Sequence, residues 1–165
     1  MKKETVLVII KPDGVNKGLI GNVFKKFAET KLEVIAMRVA KCDKKMAEAH
    51  YQHLSDKPFF GEIVDYLTGK FHTQKKIVII VYYGEDAIRK CRKIAGATNP
   101  EDADPTSIRG AFGRITTKGV YENVVHVSSD KREAKREIKL WFAPDDLHTR
   151  LYPTKWAVLR KRVWA

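Results

Sequence analysis

Thr5-Val-Leu-Val-Ile-Ile10 is an unbroken apolar run rich in β-branched side chains, and Lys11-Pro12-Asp13-Gly14 ends it. A short run of this kind with turn residues behind it reads as a buried strand followed by a turn. The chain therefore needs a sheet and layers to cover it. Ile20, Val23, Phe24, Phe27 and Ala28 recur at i, i+3, i+4, i+7 and i+8, with Lys25, Lys26 and Glu29 opposite, which predicts an amphipathic helix of about four turns. Residues 34–40 read as a second strand. Asp43 is a candidate N-cap for a helix through His50 and Tyr51, and Lys57-Pro58 opens another with Phe60, Ile63, Val64 and Leu67 on its apolar face.

Residues 77–83 read as a third strand, 86–95 as a helix and 120–127 as a fourth strand. A closing helix over 130–142 packs through Ala134, Ile138 and Trp141. The order β-α-β, helices, β-α, long loop, β-α is an α+β pattern: a ferredoxin-like α/β sandwich, a four-stranded antiparallel sheet covered by helices. Residues 96–119 carry little periodicity, and a loop that long inside a small domain is usually functional.

The 165 residues suffice for one domain over 1–165, and a composition of 44% hydrophobic and 32% charged residues excludes disorder. The apolar run near the start is too short for a signal segment or a membrane span, so a cytoplasmic protein is expected. Cys42 and Cys91 lack metal-type spacing and read as buried thiols. The net charge of +12 attracts polyanions without choosing among nucleotides, nucleic acids and acidic lipids.

Generic phosphate loops are absent: Gly69-Lys70 lacks the upstream glycine of a Walker A loop, and no G-x-G-x-x-G follows a strand. An RNA-binding reading of Arg109-Gly110-Ala111-Phe112-Gly113 fails because Ala111, Gly113 and Thr116 stand where stacking aromatics are needed. His50 and His53 could share a helix face as metal ligands, but no third ligand stands at a recurring spacing, and they read as partly exposed helix histidines. His126, alone on an apolar strand, reads as a hydrogen-bonded structural side chain. Its company points elsewhere. A histidine nucleophile needs one free nitrogen and an acceptor holding the other, which Glu137 can supply. Lys11, Arg92 and Arg109 are candidate cations for phosphoryl oxygens.

With these residues in place, the chain resembles a nucleoside diphosphate kinase over nearly its whole length. Lys11-Pro12-Asp13-Gly14-Val15 is similar to that family's opening motif. His50-Tyr51-x-x-Leu54-x-x-Lys57-Pro58-Phe59-Phe60 is similar to its nucleotide-binding helix pair. Gly96-Ala97-Thr98-Asn99-Pro100 and Ser107-Ile108-Arg109-Gly110 match its central loop, and Asn123-x-x-His126-x-Ser128 its active-site signature, with Glu137 in register.

The resemblance implies ping-pong transfer of a γ-phosphate from a nucleoside triphosphate to a nucleoside diphosphate through phosphohistidine on His126. Mg2+ is expected on the nucleotide phosphates, with no protein side chain as its ligand. It implies ribose contacts from Lys11 and Asn123, phosphate contacts from Tyr51, Arg92, Thr98 and Arg109, base stacking on Phe59, and support of His126 by Ser128 and Glu137. Homo-hexamers or homo-tetramers are implied as well.

The sequence departs from the pattern at Val127, where a small residue is usual, and at Ser129, which takes an aspartate's place with Asp130 next. Residues 69–76 and 113–122 are longer than usual, and either Ile115 or Val120 would face Phe59 across the base. The basic aromatic tail at about 151–165 reads as a subunit contact. The competing reading of the whole chain is a nucleic-acid-binding module on the same fold.

Overall fold

The computed structural model describes residues 3–156. Arg160, Lys161, Arg162 and Trp164 of the predicted tail lie outside the described residues. Strand β1 (Lys3–Ile10) ends at α1 (Pro12–Asn16), a short helix where the sequence predicts a plain turn. Proline takes the start of α1, where its missing N–H would have had no partner anyway. Helix α2 (Ile20–Ala28) has nine residues, shorter than the expected four turns. Thr30 Oγ1 donates to the Phe27 carbonyl at 2.6 Å, and Lys31 turns the chain at φ 55°.

Strand β2 (Glu33–Ala40) follows, then α3 (Lys44–His50), whose cap Asp43 accepts from Met46 N at 2.8 Å as its position predicts. Next come α4 (Phe60–Leu67), β3 (Ile77–Glu85) and α5 (Ala87–Ala95). The stretch predicted as a loop over 96–119 holds α6 (Ile108–Phe112), capped by Ser107, and β4 (Arg114–Ile115). The predicted fourth strand is broken: β5 (Tyr121–Glu122) pairs with β4, and β6 (Val125–Val127) pairs with β1. Asp130 caps α7 (Lys131–Trp141), accepting from Arg132 N and Glu133 N.

The main sheet has the order β2-β3-β1-β6 with antiparallel neighbours, the ferredoxin-like arrangement expected. Strand pleating sends β1 side chains alternately to two cores. Val6, Val8 and Ile10 pack with Val78, Ile80 and Tyr82 beneath α2 and α5, through Val23, Phe27 and Cys91. Leu7 and Ile9 pack with Ile77, Ile79 and Val81 beneath α3, α4 and α7, through Ala47, Val64, Ile138 and Trp141. Each such buried aliphatic contributes about 1.5–3 kcal/mol of transfer free energy, so β1 is the fixed axis of the molecule.

The break in the fourth strand has a definite cause. Val124 sits at φ 66°, a region that costs a β-branched residue about 1–3 kcal/mol. Buried Asp13 accepts the Val124 N–H at 2.9 Å, and the Val124 carbonyl accepts Lys11 N–H at 2.8 Å, so the turn is held from the end of β1. The kink separates Asn123 from the regular strand and sets it beside Lys11. Cys42 and Cys91 are free and buried, and burial pushes each thiol up to about 12. Among the described residues, no helix is long and apolar enough to cross a membrane.

Candidate active site

On β6, His126 pairs with Ile9 of β1. Its neighbours Val125 and Val127 belong to the core under α2 and α5, so the pleat directs His126 to the opposite layer and Val127 away from it. The bulky residue at 127 is thus accommodated in the core. His126 keeps 15% of its side chain exposed, and its Nε2 lies 2.9 Å from Glu137 Oε1 on α7. Glu137 Oε2 accepts from Ser128 Oγ at 2.5 Å, and Ser128 Oγ in turn accepts the Leu7 N–H at 3.0 Å. A chain of hydrogen bonds therefore runs from the backbone of β1 to the imidazole.

Burial alone would raise Glu137, but the charge of His126, hydrogen bonds from His126 and Ser128, and Arg136 outweigh it and hold the carboxyl below its ordinary range. An ionised carboxylate can only accept. It keeps the imidazole proton on Nε2 and leaves the Nδ1 lone pair free.

His126 opens onto a cleft of about 540 Å³. Of the ten residues singled out in the sequence, Lys11, Tyr51, Phe59, Arg92, Thr98, Arg109, Asn123 and His126 line it; Ser128 and Glu137 stand behind the imidazole. Phe59, at the start of α4, is 46% exposed and offers an aromatic face to the cleft. Arg109 is anchored by Nη1 to Gly96 O and by Nη2 to Val125 O, both at 2.9 Å, while its buried Nε has no partner. Burial, then the charge of Arg92, brings Arg109 down to about 10, with Tyr51 opposing. Burial also raises the Tyr51 phenol.

Lys11 donates to Asn123 Oδ1, and Asn123 Nδ2 donates to Thr98 O at 2.8 Å. Burial lowers Lys11 from 10.5 to about 8, Asp13 opposing and Arg109 assisting. The buried ammonium is therefore charged below pH 8 in the folded protein and neutral above it. Nucleotide binding through this charge is expected to weaken as pH rises through about 8, read by titration with a nucleoside diphosphate; affinity unchanged to pH 9.5 in wild type and in Lys11→Met alike would exclude the effect. Stability moves the opposite way: between about 8 and 10.5 the unfolded chain still binds the proton that the folded chain has lost, so Lys11's burial penalty fades as pH rises.

Of the segments 69–76 and 113–122, the second borders this cleft. Residues 113–122 form the β4–β5 hairpin, closed through Gly119 at φ 79° and held by Arg114 and Lys17 on Glu122. Val120 lines the cleft and Ile115 does not. Residues 69–76 place Phe71 and His72 against Tyr66, itself a lining residue, with ring centroids 6.5 and 5.2 Å apart. Ser129 bonds Asp130, which supplies the cap of α7, so the shifted aspartate keeps that helix's start.

His50 departs from the sequence reading. It is fully buried, not partly exposed, and its ring lies 4.4 Å from that of His126. The i, i+3, i+4 spacing of Ala47, His50 and Tyr51, all buried, is the signal that would have placed it on the inner face. His53 instead approaches Glu133 at 3.4 Å. His50, His126 and Glu137 bring three possible metal ligands within 4.8 Å. Chemistry argues against a metal there, because Trp141 Nε1–H donates to His50 Nδ1 at 3.2 Å and so forces the ring proton onto Nε2, the only nitrogen left to bind an ion.

The sequence model of the family described as nucleoside diphosphate kinase matches residues 4–147. The chain is 38% identical over 159 residues to a nucleoside diphosphate kinase of Pyrococcus furiosus, covering 96% of this chain and 95% of that one. It is similar in structure to a transition state mimic of the Borrelia burgdorferi nucleoside-diphosphate kinase with bound vanadate and ADP (TM-score 0.79, 28% identity, 93% of each chain). A halophilic nucleoside diphosphate kinase of Halobacterium salinarum in complex with CDP is similar as well (TM-score 0.79, 32% identity, 95% of each chain). A histidine held by a buried carboxylate at the wall of a cationic cleft accords with that kinship, and the chain belongs to the nucleoside diphosphate kinase family.

Proposed function

We propose that the chain, acting as one catalytic domain over 1–165, transfers the γ-phosphate of a nucleoside triphosphate to a nucleoside diphosphate through His126. The observation that carries this reading is the hydrogen-bonded line Ser128–Glu137–His126 meeting the cleft lined by Lys11, Arg92 and Arg109. In the first half-reaction the Nδ1 lone pair attacks the γ-phosphorus. The N–P bond forms as the bond to the bridging oxygen breaks, and that electron pair leaves on the diphosphate. The Nε2 proton stays shared with Glu137, so the cationic character developing on the phosphorylated ring faces a carboxylate. In the second half-reaction a terminal oxygen of another nucleoside diphosphate attacks the same phosphorus, and the N–P bond breaks to restore the imidazole.

The transition state carries its charge on equatorial oxygens, and positioning with cationic donors does most of the work. Arg92 and Arg109 suit that task, since a guanidinium fork matches phosphate geometry. Tyr51 and Thr98 complete the phosphate contacts, Lys11 and Asn123 hold the ribose, and Phe59 stacks on the base with Val120 lining the same cleft. Stacking tolerates every base, because each has a π face. ADP and CDP in the two related structures support that tolerance. Magnesium fits as part of the incoming nucleotide: Glu62 is the lone carboxylate among the residues lining the cleft, so the phosphates themselves supply its ligands. When bound, it neutralises phosphate charge. An assay with ATP as donor and GDP, CDP and UDP as acceptors tests the reading; transfer to all three within about tenfold of one another is expected, and failure with every acceptor would overturn it.

A homo-hexamer or homo-tetramer is proposed on the strength of β2. This strand is one edge of the sheet and shows Met37 and Val39, 56% and 64% exposed, to solvent. An apolar edge strand is suited to pair with a second copy. The double substitution Met37→Glu and Val39→Glu is expected to lower the mass found by light scattering, and an unchanged mass would place the contact elsewhere. The free thiols and the nucleotide chemistry support a cytoplasmic setting.

A further inference from the structure

Behind His126 lies a second imidazole that the transfer chemistry leaves without a task. His50 closes α3, fully buried, and its ring meets that of His126 edge to face, with centroids 4.4 Å apart at 76°. Its Nδ1 accepts from Trp141 Nε1–H. An indole nitrogen only donates, so the ring proton of His50 must sit on Nε2. That Nε2 is buried and has no hydrogen-bond partner. Buried donors in native proteins are nearly always paired, and one that is not calls for a reason.

The neutral state is enforced twice. Burial holds His50 well below the ordinary histidine range, and His126, Arg136, His53 and Lys11 push the same way. Protonation would also need the nitrogen that Trp141 occupies. The end of α3 is clamped by the same helix that carries Glu137: Arg136 donates to Ala49 O and His50 O, each at 2.7 Å. Helix α7 thus fixes both rings, Glu137 setting the proton of His126 and Trp141 that of His50.

The tautomer of His50 matters because of what its alternative would do. A nitrogen of each ring and an oxygen of Glu137 lie within 4.8 Å of one another. An unprotonated His50 Nε2 would be an acceptor competing with Glu137 for the His126 proton, and would loosen the orientation of that ring. With its hydrogen in place it cannot compete.

We propose that His50 is a positioning residue for phosphoryl transfer: a permanently neutral imidazole, locked in its Nε2–H form by Trp141, whose edge-to-face contact keeps His126 turned with Nε2 to Glu137 and Nδ1 to the nucleotide. This rests on His126 as the phosphate carrier. The test uses the full-length enzyme and three variants. His50→Phe keeps an aromatic ring without nitrogens, His50→Gln restores an amide donor near the place of Nε2–H, and Trp141→Phe removes the lock alone. Labelling of His126 from γ-labelled ATP in a single turnover is measured with the KM for ATP, together with the ring 15N shifts of His126.

His50→Phe is expected to slow labelling about tenfold with KM unchanged, while the His126 shifts keep the Nε2–H pattern, because Glu137 still accepts that proton. His50→Gln regains most of the rate, and Trp141→Phe falls between. A wild-type labelling rate in His50→Phe, or equal losses in His50→Phe and His50→Gln, overturns the proposal by leaving His50 a packing role only. If the phenylalanine variant does not fold, Trp141→Phe decides: a wild-type rate overturns it there. Absence of label on His126 in the wild-type enzyme would instead sink the carrier assignment, so the two failures are distinguishable.

Discussion

His126→Ala is expected to lose phosphate transfer from ATP to any nucleoside diphosphate by on the order of 10⁴-fold or more, because the covalent route disappears with the nucleophile. The fold should survive. The side chain is partly open to the cleft, and the alanine stays in β6 with its backbone pairing to β1 intact. Glu137 loses its imidazole partner but keeps the Ser128 hydroxyl, so a stability cost of about 1–3 kcal/mol is expected. Circular dichroism and denaturant unfolding check the fold, and a coupled transfer assay checks the activity. Retention of more than about a hundredth of the wild-type rate in a folded His126→Ala protein would require another phosphate carrier.

Glu137→Gln carries the second large effect, and its sign follows from donor and acceptor counts. Ser128 Oγ donates to one carboxylate oxygen, and His126 Nε2 meets the other. In glutamine the amide oxygen would take the Ser128 hydrogen, leaving the NH₂ group facing His126. In that arrangement two donors would face each other, so Nε2 becomes the acceptor and the ring proton moves to Nδ1, the nitrogen assigned to attack; with the NH₂ set on Ser128 Oγ instead, whose hydrogen can turn to Leu7 O, the ring loses the charge that faces it. A loss of about 10²- to 10⁴-fold in kcat with little change in KM is expected, the upper end being the cost of a wrong imidazole tautomer in a Ser-His-Asp triad.

The same carboxylate sets an acid limit on stability. Its folded value is depressed below 4.5, so the unfolded chain takes up the proton first. The stabilisation is complete above about 4.5 and fades as pH falls through the depressed value. Glu137→Gln should flatten that acid dependence in pH-dependent unfolding; an unchanged slope would mean that other carboxylates dominate it.

Much of this architecture is legible in the chain because it depends on neighbours in sequence. The apolar run of β1 and the cap Asp43 are local devices and fall where side-chain chemistry places them, and the 3.6-residue spacing finds α2, though with fewer turns than it suggests. What escaped depends on distant partners. The strand over 120–127 looks continuous, and only the hydrogen bond from Val124 N–H to Asp13, 111 positions away in sequence, makes it break. The burial of His50 is completed by Trp141, 91 positions away.

At the site, local patterning explained which residues were chemically able, and the family's motifs explained which of many similar cations to choose. Lys11, Arg92 and Arg109 are three of 32 lysines and arginines, and nothing in their immediate neighbours sets them apart. Folding brings them to one cleft because β1, α5 and the segment before β4 converge on the side of the sheet where β6 breaks. Val127 shows the converse: the pleat packs this residue of the signature into the core under α2 and α5, although it also lines the cleft.

Transfer as proposed places the phosphate on His126 before it reaches the acceptor. Incubating the protein with γ-labelled ATP and no acceptor, then locating the label by peptide mapping, tests it most directly. About one phosphate per chain at most is expected, on His126, labile to acid and stable to base, and discharged on adding a nucleoside diphosphate. Label on any other residue, or undiminished transfer to a diphosphate while His126 never becomes labelled, would contradict it.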